Sequence, residues 1–110
     1  MRYQTLTRNN EFQRVYTRGK SFVHPQVVLY VNKNRLGYTR IGITATKKIG
    51  NAVTRNRARR VIRAALFAVL PQNIGGYDLV FVARGRTPKC KSTELVSSLA
   101  KLLHDAGLRK

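Results

Sequence analysis

Lys47-Lys48-Ile49-Gly50-Asn51-Ala52-Val53-Thr54-Arg55-Asn56-Arg57-Ala58-Arg59-Arg60-Val61-Ile62-Arg63 holds seven basic residues and no acidic one. A Gly-Asn step opens it, and a helical period follows. At about 100° per residue from Ala52, the residues Ala58, Val61, Ile62, Ala65 and Val69 gather on one side. Asn56, Arg59, Arg60 and Arg63 gather opposite, with Arg55 and Arg57 on the flanks. One face can pack on a core while the other presents guanidiniums to solvent or to a polyanion. Asn51 is placed to cap this helix, which is expected to run from Ala52 to Leu70. Pro71 and the Gly75-Gly76 pair end it. Phe67 and Leu70 fall off the apolar stripe, which suggests wider burial of the C-terminal half or contact with another chain.

The flanking segments read as strands. Residues 26–32 alternate, with Val27, Leu29 and Val31 facing one way and Val28 and Tyr30 the other. Apolar residues on both sides suggest a strand that helices cover on one face and that lines something on the other. Residues 40–46 put Ile41 and Ile43 on one face, while Gly42 leaves room on the other for a crossing element or a ligand backbone. Tyr77 to Ala83 is a further strand, so the central helix can cross over between parallel strands.

At the N-terminal end, residues 1–8 read as an irregular arm. Thr7 or Asn9 could cap a short helix that carries Phe12, Val15 and Tyr16 on one face and ends at Gly19. Residues 20–24 read as a short strand. At the other end Arg84-Gly85-Arg86 forms a basic loop, and Pro88 keeps the segment out of regular structure. A final helix from Glu94 to Ala106 buries Leu95, Leu99, Leu102 and Leu103, with Ser92 or Thr93 as its cap and Gly107 as its stop. The expected fold is a single α/β domain over residues 1–110, a small sandwich of a mixed sheet packed by helices in the order α-β-β-β-α-β-α.

Charge limits what such a domain can do. The 110 residues include 22 Lys plus Arg against four acids, for a formal net charge of +18. Such a surface repels itself unless an anion neutralises it, and nucleic acid is the first candidate. No apolar run is long enough to span a membrane and no signal-like segment is evident, so the chain reads as cytoplasmic with no membrane partner. The single cysteine, Cys90, excludes an intrachain disulfide and argues against a Cys-based zinc site. Its neighbours Lys89 and Lys91 could lower its pKa.

Nuclease chemistry based on protein-held metal needs clustered carboxylates. Here Glu11, Asp78, Glu94 and Asp105 lie in four separate elements. His24 and His104 could form an acid–base pair, but their spacing does not support one. No catalytic residue is assigned. The candidate binding residues are Lys47, Lys48, Arg55, Asn56, Arg57, Arg59, Arg60 and Arg63, because guanidiniums make paired hydrogen bonds to phosphates and a helix start adds amide donors. The bland reading is a solvated basic face, but no nearby acid compensates the charge. Phe12, Tyr16 and Tyr30 form a second group. They could stack on unpaired nucleotides between the first helix and the sheet, or serve only as core. Arg84, Arg86 and Lys89 could lie near either group.

The central stretch from Lys47 to Arg63, with its Arg55-Asn56-Arg57, resembles the signature of the protein subunit of bacterial ribonuclease P. The Asn9 to Tyr16 segment, Val28-Leu29-Tyr30, the Gly42-Ile43 step and Tyr77-Asp78-Leu79-Val80 extend the likeness over nearly the whole chain. The family often has an acid where Ala64 stands and Phe where Tyr16 stands. The resemblance implies a left-handed β-α-β crossover, against the usual rule. It also implies a non-catalytic subunit of an endoribonuclease whose large RNA cleaves the 5′ leader from precursor tRNA. On that reading residues 47, 48, 55–57, 59, 60 and 63 face the catalytic RNA, and Phe12, Tyr16 and Tyr30 line the leader cleft. Mg2+ is then bound mainly by the RNA subunit and the substrate. The rival expectation is a ribosomal or general RNA-binding structural protein without a catalytic RNA partner.

Overall fold

A computed structural model describes residues 4–70 and 75–108. Among the described residues, five strands form one sheet: β1 (Gln4–Thr5), β2 (Lys20–Val23), β3 (Val27–Lys33), β4 (Arg40–Thr44) and β5 (Tyr77–Ala83). Their spatial order is β1-β4-β5-β3-β2. The β4–β5 pair is parallel, with Ile41 opposite Leu79 and Ile43 opposite Phe81, and β1 is parallel to β4. The β3 strand is antiparallel to both β5 and β2. The described residues also form three α-helices: α1 (Asn9–Arg18), α2 (Ala52–Val69) and α3 (Ser92–Asp105). The connection between parallel β4 and β5 contains α2, as the strand–helix–strand pattern requires.

The alternation read from the sequence divides the sheet into two unequal faces. On the larger face Val27, Leu29, Ile41, Leu79 and Phe81 bury against Ala58, Ile62, Ala65, Leu66 and Val69 of α2 and Leu95, Leu99, Leu102 and Leu103 of α3. On the smaller face Leu6, Val15 and Val80 are buried, with Phe12, Tyr16, Tyr30 and Val82 packed around them but partly open. The ten residues of α1 are too few to cover a five-stranded sheet, so aromatic surface remains accessible beside that helix.

Several boundaries differ from the sequence expectation. The first eight residues are not an irregular arm throughout: Gln4 and Thr5 pair with β4, and Leu6 is buried. A single apolar residue in a polar run carries too little periodicity to mark that strand. Residues 1–3, and Pro71, expected to end α2, lie outside the described residues. Arg8, neither Thr7 nor Asn9, is the N-cap of α1, and Lys91, neither Ser92 nor Thr93, that of α3. In both helices a carboxylate at the third position reaches back to the cap amide. Glu11 Oε1 accepts from Arg8 N–H at 2.9 Å, and Glu94 Oε1 accepts from Lys91 N–H at 3.2 Å. That satisfies a free helix-start donor without a Ser or Asp cap side chain. Pro88 does not break regular structure either; it sits in a short 3-10 turn, Thr87–Lys89, where its missing amide costs nothing.

Candidate nucleic-acid interface

The basic helix is assembled from its first turn. Asn51 caps α2 as expected, its side-chain oxygen accepting from Thr54 N–H at 2.9 Å. Before it, Lys47–Ile49 forms a short 3-10 turn that holds Lys47 and Lys48 exposed at the start of α2. Gly50 joins the turn to the cap with φ at 144°, backbone that side-chain-bearing residues rarely adopt. Glycine is therefore required where the lysine turn meets the arginine helix.

Because Ala58, Ile62, Ala65, Leu66 and Val69 are pinned to the sheet, the opposite side of α2 is fixed outward. Asn56, Arg57, Arg60 and Arg63 are exposed, and Arg55 and Arg59 are half-buried. Val53, Asn56, Arg59, Arg60 and Arg63 line one shallow concavity. Arg57 and Arg60 border another, whose far wall is Cys90-Lys91-Ser92. The Asn56 side-chain oxygen accepts a hydrogen bond from Arg59, which orients that guanidinium along the helix. Leu70 is buried as the wider-burial reading required, but Phe67 is 64% exposed.

The four carboxylates lie elsewhere. Glu11 Oε2 accepts from Arg40 Nη1 at 2.5 Å, while Asp78 takes a two-pronged pair from Arg40, Nε to Oδ1 at 2.9 Å and Nη2 to Oδ2 at 2.7 Å. Asn34 Nδ2 also donates to Asp78 Oδ1 at 2.7 Å. Burial pushes the Asp78 pKa up, but the bonds from Arg40 and Asn34 and the Arg40 charge outweigh it and leave the group lowered. The Glu11 pKa is also lowered, chiefly by the amides of Arg8 and Thr7. Glu94 caps α3, and Asp105 pairs with Lys101 at 3.6 Å. Among the described residues no three His, Cys, Asp or Glu side chains are grouped to hold a metal ion. The carboxylates present are thus committed to arginine, lysine or helix amides, and do not fit a protein-held magnesium site.

The aromatic group comes together as well. The Tyr16 and Tyr30 rings meet edge to face with centroids 5.0 Å apart. Phe12 lies over Gly42, where any side chain would collide with its ring. The room left by Gly42 is therefore filled by a crossing element, α1. The sequence reading missed Leu6, Val80 and Val82, which complete this aromatic surface. Arg84 reaches the His24 carbonyl at 3.5 Å, at the β2–β3 turn, so it stands apart from α2. The turn that follows Arg86 and contains Lys89 packs against α2. Cys90 differs from expectation: burial, then the Glu94 charge, raises its pKa despite the flanking lysines, and its thiol donates to the Arg86 carbonyl.

Fold and surface together define a polyanion-binding α/β sandwich: an arginine helix face free of carboxylates, an aromatic surface, and acids committed to structure. Comparison with known proteins identifies its kind. The ribonuclease P family profile matches residues 1–107. A ribonuclease P protein component of Clostridium botulinum is 39% identical over 109 residues, 98% of each chain. One from Staphylococcus epidermidis is 44% identical over 99 residues, covering 89% of this chain and 85% of the relative. The solved ribonuclease P protein of Staphylococcus aureus superposes with a TM-score of 0.84 at 30% identity, covering 99% of this chain and 100% of that one. That of Thermotoga maritima gives 0.77 at 26% identity, over 94% and 97%.

The chain belongs to the ribonuclease P protein family. It is a non-catalytic protein subunit of the ribonucleoprotein endoribonuclease that processes the 5′ leader of precursor tRNA, and so has an RNA partner. Among the described residues, no helix is long and apolar enough to cross a membrane.

Proposed function

We propose that the arginine face of α2 and the aromatic surface beside α1 divide the work of this subunit. Lys47, Lys48, Arg55, Asn56, Arg57, Arg59, Arg60 and Arg63 bind the catalytic RNA and screen phosphate repulsion where precursor tRNA approaches it. Phe12, Tyr16 and Tyr30 hold the single-stranded leader by stacking and packing, which raises affinity for precursor over mature tRNA. Magnesium ions are held mainly by the RNA subunit and the substrate, and the complex works in the cytoplasm. The observation that carries this reading is the arginine face with every carboxylate engaged elsewhere, because no acid of the chain compensates that face and a polyanion can.

Cleavage of a leader-bearing precursor tRNA at low magnesium, with protein and catalytic RNA omitted in turn, tests it. Cleavage at the mature 5′ end that needs the RNA and is strongly enhanced by the protein is expected. Identical cleavage with and without protein would leave only general RNA binding. In the assembled complex, equal affinity for precursor and mature tRNA would remove the leader from the proposal.

A further inference from the structure

Phe67 is a large apolar side chain on the helix that carries the arginine face, yet it is 64% exposed. It does not belong to the apolar stripe that packs on the sheet. One turn before it stands Arg63, four residues away and therefore on the same side of α2. Phe67 and Arg63, with Leu66, line a cavity of about 310 Å³. Thr5, Leu6, Phe12, Ile41 and Ile43 complete its lining.

The cavity exists because β1 is short. Its two residues end opposite Ile41, so β4 continues as the bare edge of the sheet. The opening wraps that edge, which lets Phe12 from the α1 side and Phe67 from the α2 side line the same space. Polar groups are also at hand. Gln4 and Leu6 donate their amides to the Thr39 and Ile41 carbonyls of the β4 segment. By the alternation of a strand, Thr5 between them turns its own amide and carbonyl to the open side.

The cavity also joins the two proposed surfaces. Arg63 lines both it and the shallow concavity with Asn56, Arg59 and Arg60. Phe12 lines it and packs in the Tyr16–Tyr30 cluster. Aromatic rings, one guanidinium and an open strand edge suit a flat heteroaromatic group attached to a phosphate. A purely apolar partner would leave Arg63 unpaired, and a duplex could not enter a space of this size.

We infer that the Phe12–Phe67 cavity is a nucleotide pocket: one unpaired base stacks on Phe67, and its phosphate lies on Arg63. The inference rests on the RNA-binding reading above and adds a site to it. The base can come from the leader or from the catalytic RNA, and both present the same chemistry.

The chain has no tryptophan, so Phe67→Trp keeps an aromatic ring and supplies the sole indole fluorophore. The variant, assembled with catalytic RNA, is titrated with leader-bearing precursor tRNA and separately with mature tRNA. Quenching on assembly with catalytic RNA alone assigns the base to that RNA. Quenching that appears only with precursor, and is absent with mature tRNA, assigns it to the leader. Phe67→Ala, checked for native circular dichroism, should weaken binding in that same arm roughly ten-fold, while Phe67→Trp retains affinity. A Phe67→Trp holoenzyme that cleaves normally while its indole fluorescence stays unchanged in every arm overturns the pocket but leaves the RNA-binding reading intact. A wild-type chain that binds neither RNA overturns both.

Discussion

Arg40 and Arg60 carry the same side chain and are put to opposite uses. Arg40 is 16% exposed and holds Glu11 and Asp78 together, tying α1 to the β4 and β5 strands. Arg60 stands on α2 with no carboxylate among its described hydrogen bonds or ion pairs, and borders both concavities of the basic face. With only four acids in the chain, two serve Arg40, one caps α3 and one pairs on the surface of α3. Net charge is therefore not spread evenly. The anions stabilise the scaffold, and the uncompensated cations are left for a partner. A guanidinium bonded to two carboxylates in a partly dry site acts as a structural bolt, whereas an exposed one acts as a phosphate ligand.

Separating these two roles by mutation gives the largest expected effect. Asp78→Ala should cost about 3 kcal/mol in urea unfolding, because it removes the two-pronged partner of a partly buried Arg40, leaving it only Glu11, and takes one of the two acceptors of the Asn34 side-chain amide. Its RNA binding, measured where the variant is still folded, should keep the wild-type salt slope. A steep loss of that slope would mean that Arg40 also contacts RNA.

Acid should act in the same direction. The folded-state pKa values of Asp78 and Glu11 lie below their ordinary values, so the folded state favours the ionised carboxylates. Their stabilising contribution is complete above about pH 4.3 and declines as pH falls through the lowered folded values. Unfolding midpoints measured from pH 6 to pH 2.5 should drop only in the acid range, and Asp78→Ala should flatten the drop.

Arg60→Ala should do the reverse. Catalytic-RNA affinity is expected to fall roughly five-fold, with the log–log salt slope reduced by about one, while the urea midpoint stays near wild type. An unchanged slope would mean that Arg60 makes no phosphate contact. Asn51→Ala is the smallest case, at about 1 kcal/mol of stability for the lost cap. It should leave the salt slope intact, since the cap shapes the first turn of α2 without supplying charge.

Much of the site was legible before the fold. The 3.6-residue period put Ala58, Ile62 and Ala65 opposite Arg60 and Arg63, and that division holds in three dimensions. The strand alternation placed Leu29 and Tyr30 on opposite faces, and they lie in different clusters. Helix caps were less legible. Their function depends on which carboxylate reaches back to which amide, so Glu11 could stand in for the expected Thr7 or Asn9 cap and Glu94 for Ser92 or Thr93. The lowered pKa anticipated for Cys90 failed for a related reason: flanking charge is local, but burial is a tertiary property.

The amino-acid sequence by itself determined the order of strands and helices from α1 onward, the acid-free arginine face and the resemblance to the family, because these depend on residue type and on periods within single segments. Only the tertiary structure decided that Gln4–Thr5 closes one end of the sheet, that Arg40 joins Glu11 to Asp78 across 29 and 38 positions of chain, and that Phe12 and Phe67 line one cavity. The physical reason is common to all three. Each depends on contacts between segments distant in the chain, and such contacts leave no period or spacing to read until the sheet brings them together.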